Sequence, residues 1–397
     1  MDNSLFSVFY IREEKSFLYC DKANTAFIYY RDFKIDLLSG ERLNSPLKSF
    51  LKKIENISMF ENFEKPKVFH LFYELGFYFI DDYNSIPEHE PLAISIEYFN
   101  SKKISSSQKR ENINVALDDY PVFKKYKKQF SDIQNHLIAG DCYQVNLTHP
   151  FYFKVEEGLE VQDYLNSFLG MKENLGAYAH FTSLGFLGRV LFSNSPECLF
   201  KAYVKKQQLH IRSMPIKGTV KDEGRGSWSR LESSLKDQAE LYMIADLIRN
   251  DLSKVDFTPA RIIKKKLPLR VPGIYHQFSI IETKTFNDVN LYSVLKSLFP
   301  GGSITGAPKK RVMGIIKDLE SYTRGFYCGS TVLLHKSLRC GSINIRSADI
   351  DIDRKEIKYG SGGGITLLSE VDAEFKESYQ KMESFLNSSS IKILSKT

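Results

Sequence analysis

Strand-like runs that follow one another, with only occasional helices between them, constrain the fold of this chain more than any other feature. Helices are predicted from Pro121 to Gly140, from Trp228 to Leu252 and from Val371 to Asn387. Strands are predicted at about residues 143–155, 177–181, 186–192, 199–204, 326–335, 342–351 and 356–360. Strands in series without a helix after each one are typical of α+β layering and not of repeated βαβ units.

Three segments carry more specific expectations. Apolar residues recur at helical spacing from Trp228 to Leu252, and we expect this stripe to be buried: Leu231, Leu235, Ala239, Tyr242 and Leu247. Residues 100–114 are rich in Ser, Lys and Asn and are predicted to form an exposed linker. Residues 387–397 are predicted to be a frayed tail.

The length of the chain, 397 residues, exceeds what one hydrophobic core usually supports. We therefore expect two parts, residues 1–115, whose role is unclear, and residues 116–390. With 42% hydrophobic and 26% charged residues, the composition is that of a soluble globular protein. No apolar run has the length of a membrane span, and Arg12, Glu13 and Glu14 do not fit a signal peptide, so we expect a cytoplasmic protein without membrane contact.

Charge and cysteine content exclude other classes of protein. The net charge is +7, but the basic residues are mixed with acidic ones and no nucleic-acid-binding motif accompanies them. The charge fits a small anionic substrate as well as it fits nucleic acid, and without such a motif we expect no nucleic-acid partner. The five cysteines are widely spread and contain no CxxC pair, which favours reduced, buried thiols over a disulfide framework or a zinc site.

The hexapeptide Met214–Thr219 (MPIKGT) holds a lysine, Lys217, between a stiff proline and a flexible glycine. A lysine becomes a nucleophile when its surroundings remove the proton. Because an ordinary lysine has a pKa of about 10.4, the environment must favour the neutral amine by roughly 4 to 5 kcal/mol at pH 7. The alternative is a turn with a solvated lysine.

Carboxylates at helical spacing form a second candidate site. Glu374 and Glu377 are three residues apart, so they share one helix face, and Lys381 lies one turn further along. Mg²⁺ typically binds one or two protein carboxylates and completes its shell with water and substrate oxygens. Asp237 and Glu240 also share a helix face. An ordinary solvated helix surface is the alternative for both pairs.

Several shorter features complete the polar pattern. The glycines of segment 360–364 allow backbone amides to approach an anion, and segment 301–309 is a second glycine-rich stretch. Glu197 precedes a strand, where a partly desolvated carboxyl group can serve as a general acid. Arg346 ends the strand-like segment 342–346 and could grip a carboxylate.

Taken together and in this order, the segments resemble those of the chorismate-utilising enzymes. The resemblance rests on these stretches: Gly140–Leu147, Ser195–Glu197, Pro215–Thr219, Glu240–Asp251, Phe299–Lys309, Arg324–Tyr327, Ile345–Arg346 and Gly360–Lys381. The first third of the chain carries little of it. The resemblance implies an α+β fold of two large, mainly antiparallel sheets packed as a sandwich, with helices on the outside and a deep active-site cleft.

The same resemblance implies roles for individual residues. Lys217 would attack C2 of chorismate while Glu197 gives a proton to the departing C4 hydroxyl. Glu240, Glu374 and Glu377 would hold Mg²⁺. The remaining substrate-binding residues that it implies are Gln144, Thr219, His276, Tyr327, Arg346, Gly360, Gly362, Gly363 and Lys381.

Two positions separate the branches of this family. The position of Gln144 resembles the one at which the isochorismate-forming enzymes have a lysine that activates water. The position of Lys217 resembles the one at which the anthranilate-forming enzymes usually have alanine. The resemblance therefore implies the branch that forms 4-amino-4-deoxychorismate for p-aminobenzoate and folate, a transaminase-class transfer of ammonia from a separate glutamine amidotransferase subunit. The alternatives are the anthranilate-forming branch and a non-catalytic chorismate-binding sensor.

Overall fold

A computed structural model describes residues 4–106, 112–156, 158–171, 174–224, 226–271 and 274–394. The strands are β1 Leu5–Ile11, β2 Ser16–Tyr29, β3 Lys34–Asp36, β4 Arg42–Leu43, β5 Phe63–Leu71, β6 Ala93–Ile104, β7 Ile113–Asp119, β8 Gln144–Val155, β9 His180–Leu184, β10 Arg189–Ser193, β11 Cys198–Lys205, β12 Gln208–Met214, β13 Ile216–Lys221, β14 Arg261–Val271, β15 Ile274–Thr285, β16 Gly306–Ala307, β17 Ser330–Lys336, β18 Leu338–Ser342, β19 Ser347–Asp351, β20 Glu356–Ile365 and β21 Ile391–Ile393. The helices are α1 Lys48–Glu55, α2 Gly76–Phe79, α3 Phe123–Ile138, α4 Val161–Leu169, α5 Ser227–Ser233, α6 Leu235–Ser253, α7 Leu291–Leu298, α8 Gly302–Thr305, α9 Lys309–Leu319 and α10 Val371–Ser388.

Hydrogen bonding joins the strands into two sheets linked through the long strands β2 and β6. The first sheet runs in the order β21–β7–β8–β20–β19–β10–β9–β1–β2. The second continues as β6–β5–β17–β18–β11–β12–β15–β14, with β13 beside β12 on the same edge of β15. Among the described residues, the pairing of β21 with β7 is parallel and the other pairings between strands are antiparallel.

The hydrophobic cores show how the two sheets are layered. One cluster contains side chains from both sheets, with Phe9 and Leu191 from the first and Val68 and Leu333 from the second. A second cluster lies between the first sheet and helices α4 and α10, and a third lies between the second sheet and helices α1, α6 and α7. Both faces of the central strands are therefore covered, which explains their nearly continuous apolar sequence. The predicted α+β sandwich with outer helices is confirmed.

Strongly periodic segments have the predicted structure. The strand predicted over 143–155 is β8, the helix that follows Pro121 is α3, and the helix predicted from Val371 is α10. In α10 the buried residues Ser378, Met382 and Phe385 follow the helical period. These segments agree because their local pattern and their tertiary packing favour the same structure.

The long helix predicted from Trp228 to Leu252 is wrong in two respects. It is divided at Ser234, whose hydroxyl accepts a hydrogen bond from the Asp237 amide and caps α6. The predicted apolar stripe is only partly buried: Leu231 is buried and Leu247 half-buried, whereas Leu235 is 81% exposed and Ala239 and Tyr242 are exposed as well. The core residues of α6 are Leu241, Ile244, Ala245, Ile248 and Leu252.

The predicted linker and tail are wrong where the structure describes them. Residues 100–104 complete β6 and pair with β2, and residues 113–114 begin β7, which pairs with β8. Residues 107–111 of the predicted linker lie outside the described part. Ile391–Ile393 pairs with Ile113–Val115 as β21, while residues 395–397 are not described. Tertiary pairing with apolar strands orders these polar segments despite their composition.

The first hundred residues share the sheets of the remainder. Strand β1 pairs with β9, and β5 pairs with β17. The division at residue 115 stays a prediction. All five cysteines are free thiols, four of them buried and Cys340 partly buried, as predicted. In the described part, no helix has the length and apolarity needed to cross a membrane.

Candidate functional site

Glu197 lies at the bottom of the candidate site, in the connection between β10 and β11. It is only 4% exposed, and its backbone is fixed because its amide donates to Ser195 Oγ and its carbonyl accepts from the Ile343 amide. Burial raises the pKa of its carboxyl group, and the Ser303 hydroxyl and the positive charge of Lys217 oppose that shift. A carboxyl group that stays protonated more readily than usual suits a general acid.

Lys217 lies on β13, next to the strand that carries His276. Its Cα pairs with that of Gln277 on β15, and the ladder is interrupted by a bulge before Thr219. Gly218 provides the bulge with a positive φ of 71°, a conformation that glycine adopts without strain. Lys217 is half-buried, and its charge acts on Glu197, so the predicted nucleophile and the predicted acid share one site.

His276 lies on β15 beside the strand that carries Lys217, and the charge of Arg346 acts on its ring. His276 Nδ1 is 3.3 Å from the Gly218 carbonyl oxygen, and its backbone pairs with Thr219. Burial first, and then the positive charge of Arg346, lowers the pKa of His276 to about 4, so the ring is neutral at pH 7. The side chain of Thr219 lies outside the described part.

Arg346 is not at a strand end as predicted. Strand β18 ends at Ser342, and Arg346 occupies the loop before β19 with a φ of 52°. Its guanidinium group makes no hydrogen bond or ion pair within the described ranges, and burial lowers its pKa while nearby Tyr359 opposes that shift. A partly buried arginine without a carboxylate partner is suited to bind an anion.

The predicted glycines of β20 allow neighbouring groups to come close to the backbone of this strand. A Cβ on Gly360 would overlap the Tyr327 ring, and a Cβ on Gly362 would overlap the Leu147 carbonyl oxygen. A Cβ on Gly363 would stand 2.8 Å from Glu374 Oε2. Glycine is therefore required at positions 360 and 362, where a ring and a backbone carbonyl group occupy the space of a side chain, whereas at position 363 the neighbour is the end of a flexible side chain.

Gln144 begins β8, where the β20 glycine segment ends. It is buried, and its side chain packs against Gly364. Its Oε1 atom has no hydrogen-bond partner within the described ranges.

Helix α10 brings the carboxylates of Glu374 and Glu377 beside that strand. Glu374 is buried and accepts a hydrogen bond from Ser369 Oγ at 2.8 Å. Lys381 Nζ lies 2.8 Å from Glu377 Oε1 and donates to the Gly362 carbonyl oxygen at 2.7 Å. Lys381 thereby fixes the second carboxylate against the backbone of β20.

Glu240 lies on a different element, α6, and is half-buried. One turn earlier, Asp237 Oδ1 stands 3.0 Å from the place that a Cβ on Gly218 would occupy, so α6 packs against the Lys217 strand. No cluster of three or more His, Cys, Asp or Glu side chains suited to a metal ion occurs in the described part, so Glu240, Glu374 and Glu377 do not form such a group there. The oxygen donors of Glu374 and Glu377 by themselves fit Mg²⁺, which needs only one or two carboxylates.

Two buried polar residues of this region were not predicted. Ser303 on α8 is 4% exposed, and its hydroxyl has no hydrogen-bond partner in the described structure. Gln277, opposite Lys217, is fully buried, and neither atom of its amide has a partner there. The sequence gives only an indirect signal for Ser303, its place in the second glycine-rich segment, and none for Gln277, because a strand pattern does not show which polar atoms remain unpaired.

The site therefore combines a buried acid, a nearby amine, a neutral imidazole, an arginine without a carboxylate partner and two carboxylates. Such a set can bind a small dianion, protonate a leaving hydroxyl and attack a polarised ring. The acid and the imidazole are both buried, and charges interact more strongly in such surroundings than in water.

A sequence model of the chorismate binding enzymes matches residues 72–387. The chain is 33% identical over 275 residues to aminodeoxychorismate synthase component 1 of Salmonella typhimurium, an alignment that covers 66% of this chain and 57% of that protein. It is 27% identical over 317 residues to anthranilate synthase component 1 of Aeropyrum pernix, covering 77% and 69%. The chain thus spans little more than half the length of the Salmonella protein.

Solved structures show the same fold at low sequence identity. Anthranilate synthase component I of Streptococcus pneumoniae superposes with a TM-score of 0.74 at 18% identity, over 93% of this chain and 91% of that one. The menaquinone-specific isochorismate synthase of Escherichia coli superposes with a TM-score of 0.69 at 15% identity, over 97% and 88%. These likenesses concern the fold alone.

Proposed function

Because the chain belongs to the chorismate binding enzyme family, we propose that it is the chorismate-aminating component of an aminodeoxychorismate synthase. The reaction exchanges the C4 hydroxyl of chorismate for an amino group and releases water. The observation that carries the proposal is the buried Glu197 carboxyl group beside the Lys217 amine. The relatives named aminodeoxychorismate synthase component 1 support it.

The first proposed step is the attack of Lys217 on the ring. The neutral amine forms a bond to C2, both double bonds of the ring move by one position, and the C4–O bond breaks. Glu197 gives its proton to that oxygen, which leaves as water. Burial raises the pKa of Glu197, which favours the protonated carboxyl group that this step requires.

The second proposed step replaces the lysine by ammonia. Ammonia attacks C4, both double bonds of the ring shift back, and the C2–N bond to Lys217 breaks. The Glu197 carboxylate, formed in the first step, takes a proton from the new C4 ammonium group. The Lys217 nitrogen, which became a secondary ammonium group when it attacked C2, leaves as the neutral amine, so both residues return to their starting states.

Substrate binding is proposed for the residues around this pair. Arg346 and Tyr327 would hold the enolpyruvyl carboxylate, since the Arg346 guanidinium group makes no ion pair within the described part. The neutral His276 ring and Thr219 would shape the ring pocket, with Gln144 and Lys381 at its edge. Gly360, Gly362 and Gly363 would allow the substrate to approach the backbone of β20.

A metal ion completes the proposal. Glu374 and Glu377, with Glu240 as a third candidate, would hold Mg²⁺ near the ring carboxylate. When bound, the ion would withdraw electron density from the ring and make C2 more open to attack. Glu377 is fixed for this role by Lys381, and Glu374 by Ser369.

Ammonia is proposed to come from a glutamine amidotransferase partner in the cytoplasm. At neutral pH free ammonia is mostly ammonium, which cannot attack C4. A relative described as PabA-like and the component 1 names of others are consistent with a two-subunit enzyme. The product would then serve p-aminobenzoate and folate synthesis.

Product analysis tests the proposal. Purified protein is incubated with chorismate, Mg²⁺ and an ammonium salt, and the products are identified by mass. We expect 4-amino-4-deoxychorismate without release of pyruvate. Anthranilate with pyruvate would instead assign the chain to the anthranilate-forming branch, to which the Aeropyrum pernix relative belongs by name. Unchanged chorismate would reject the proposed activity.

A further inference from the structure

Gln277 on β15 is a buried glutamine whose amide group makes no hydrogen bond in the described structure. The residue is fully buried, and neither Oε1 nor Nε2 has a partner there. Buried polar groups are nearly always paired, because an unpaired one has given up its hydrogen bonds to water without a replacement. The presence of an amide at this position therefore needs an explanation other than packing.

An apolar side chain would suit the same position. Ile281 lies on the same face of β15, four residues further along, and belongs to the core cluster between the second sheet and its helices. Leu231 of α5 is also buried nearby, since its Cδ1 atom stands 2.9 Å from the place that a Cβ on Gly218 would occupy, and Gln277 Nε2 stands 3.0 Å from that place. Packing alone would thus favour leucine over glutamine here.

Lys217 is directly opposite Gln277 in the ladder between β13 and β15. Side chains at directly opposite positions of antiparallel strands leave the sheet on the same face, with Cβ atoms about 4.5 to 5.5 Å apart. The end of the Gln277 side chain lies against Gly218, the residue that follows Lys217. The amide group and the proposed nucleophile therefore belong to the same small region of the sheet.

Asp237 of α6 determines which end of the amide is available to Lys217. Asp237 Oδ1 also stands 3.0 Å from the place of a Gly218 Cβ, so the carboxylate and Gln277 Nε2 lie close together. A carboxylate only accepts hydrogen bonds, and of the two amide atoms only Nε2 donates. With Nε2 on the side of Asp237, Oε1 is the atom that can accept a hydrogen bond from the lysine amine.

We propose that Gln277 is a positioning residue for Lys217, whose amine donates a hydrogen bond to Gln277 Oε1. The inference rests on the proposed function. A neutral primary amine has two N–H bonds and one lone pair, so fixing one N–H bond restricts the direction of the lone pair. The lone pair then forms the bond to C2, and the hydrogen bond to Oε1 persists in the secondary ammonium group that results. Because the amide is uncharged, it orients the amine without favouring the ammonium form, as a carboxylate would.

The test compares Gln277→Leu with Gln129→Leu. Gln129 on α3 is a matched control, because it is also a buried glutamine whose Oε1 atom has no partner in the described part, while its Nε2 donates to the Leu319 carbonyl oxygen at 2.7 Å. In Gln277→Leu, kcat with ammonium salt should fall roughly 10- to 100-fold, as expected for a misplaced reacting group, and the KM for chorismate should not change. Gln277→Met, which keeps the length of the side chain, should behave in the same way. Gln129→Leu should retain both constants.

Two further measurements separate positioning from a structural role. The covalent adduct of Lys217 with chorismate, formed without ammonia and followed by mass spectrometry in a single turnover, should appear more slowly in Gln277→Leu but at the normal rate in Gln129→Leu. The thermal midpoint of Gln277→Leu should not fall, because an unpaired amide is replaced by an apolar group beside Leu231. That of Gln129→Leu should fall, because a paired amide is lost.

A normal kcat with a normal rate of adduct formation in Gln277→Leu would overturn the inference. So would a raised KM with a normal kcat, or a lower thermal midpoint that accounts for the lost activity. If the unaltered protein aminates chorismate in the same assay, each of these results leaves the proposed function in place. If the unaltered protein forms no aminodeoxychorismate, the proposed function itself fails.

Discussion

Two buried polar groups of residues lie next to each other in this molecule and differ in one respect. The Arg324 network consists of Glu74, Thr148, Glu320 and Arg324, and the Glu197 pair consists of Glu197 and Ser303. In the network Arg324 and Glu320 form an ion pair at 2.7 Å with side chains only 1% and 2% exposed. In the pair, Glu197 Oε1 and Ser303 Oγ have no partner in the described structure.

In the Arg324 network, the polar groups form hydrogen bonds with one another and with nearby backbone groups. Glu320 Oε1 accepts from the amide and the hydroxyl of Thr148, and Arg324 reaches two backbone carbonyl oxygens besides Glu320. Glu74 accepts from the backbone amides of Arg324 and Gly325. Such a network fixes the loops around it, whereas unpaired groups of the same burial remain available to a ligand. The Arg324 network therefore supports the structure of the site, whereas the Glu197 pair is available for its chemistry.

Lys217→Ala should have the largest effect, on activity alone. Loss of the nucleophile should reduce ammonia-dependent formation of aminodeoxychorismate at least about a thousandfold. Stability should change little, because the side chain of Lys217 makes no ion pair or hydrogen bond within the described residues, and its backbone pairing with β15 does not depend on the side chain. Turnover with ammonium salt and urea denaturation measure the two effects. Lys221→Ala, at the exposed end of the same strand, is the control and should retain activity. A fully active Lys217→Ala enzyme would remove the lysine from the mechanism.

Glu197→Gln should reduce kcat roughly 100- to 10,000-fold, the range of a general acid. Its stability should depend on pH in a defined direction. Because burial raises the pKa of Glu197 in the folded state, the protonated carboxyl group stabilises the fold at low pH, and this contribution is lost as the pH rises through the raised value. The variant should therefore match the unaltered protein near pH 4 and exceed its stability at pH 8.

Urea denaturation of the ligand-free proteins at the two pH values checks this expectation, with the exposed Glu232→Gln as a control that should show no such difference. A variant less stable at pH 8 would mean that the Glu197 carboxylate is paired and that the contrast with the Arg324 network is wrong.

Arg324→Met should act on stability first. It leaves Glu320 buried without its partner, which typically costs about 3 to 5 kcal/mol of the free energy of unfolding. The double variant Arg324→Met/Glu320→Gln should lose less than the sum of the single losses, because no carboxylate then remains unpaired. Arg354→Met, which removes an exposed ion pair with Asp351, should cost less than about 0.5 kcal/mol. Additive losses in the cycle would show that the network is not coupled.

His180→Phe should have the smallest effect and tests whether unpaired atoms alone indicate function. His180 Nε2 is buried and without a partner in the described structure, but it lies in the core between the sheets, 6.0 Å from the ring of His70. Burial lowers the pKa of His180 to about 4, so its contribution to stability is present above pH 6.5 and is lost as the pH falls toward 4.

On acidification over that range, the free energy of unfolding of the variant should therefore fall by about 1 to 3 kcal/mol less than that of the unaltered protein. Urea denaturation at pH 7 and pH 4.5 measures the difference, and the exposed His89→Gln should behave like the unaltered protein. Amination activity at pH 7 should be unchanged. A large loss of activity would extend the functional region into the sheet interface.

The sequence pattern predicted correctly those helices and strands whose hydrophobic period matches the contacts that they make in the fold. Helix α10, with Glu374 and Glu377 on successive turns, and strand β8, which begins at Gln144, are two examples. The predicted proximity of Lys217 to Glu197 also follows from motif order, although no periodicity in the sequence places them together. The family resemblance supplied that step.

Other features depend on contacts between distant segments. The polar residues 100–104 form a strand because β2 pairs with them, and the buried face of α6 is set by the second sheet and not by the stripe through Leu235. Whether the hydroxyl of Ser303 is paired depends on the positions of Glu197 and Arg324, which are far away in the chain. Local propensity carries no information about such pairing.

The central claim, that the Lys217 amine bonds to the ring while Glu197 protonates the leaving oxygen, has a direct test. The protein is mixed with chorismate and Mg²⁺ without ammonia, quenched in acid, digested and examined by mass spectrometry. We predict that the peptide containing Lys217 gains the mass of chorismate less one water, and that ammonium salt discharges this adduct to aminodeoxychorismate. An enzyme that aminates chorismate at full rate while Lys217 never carries the adduct would contradict the account.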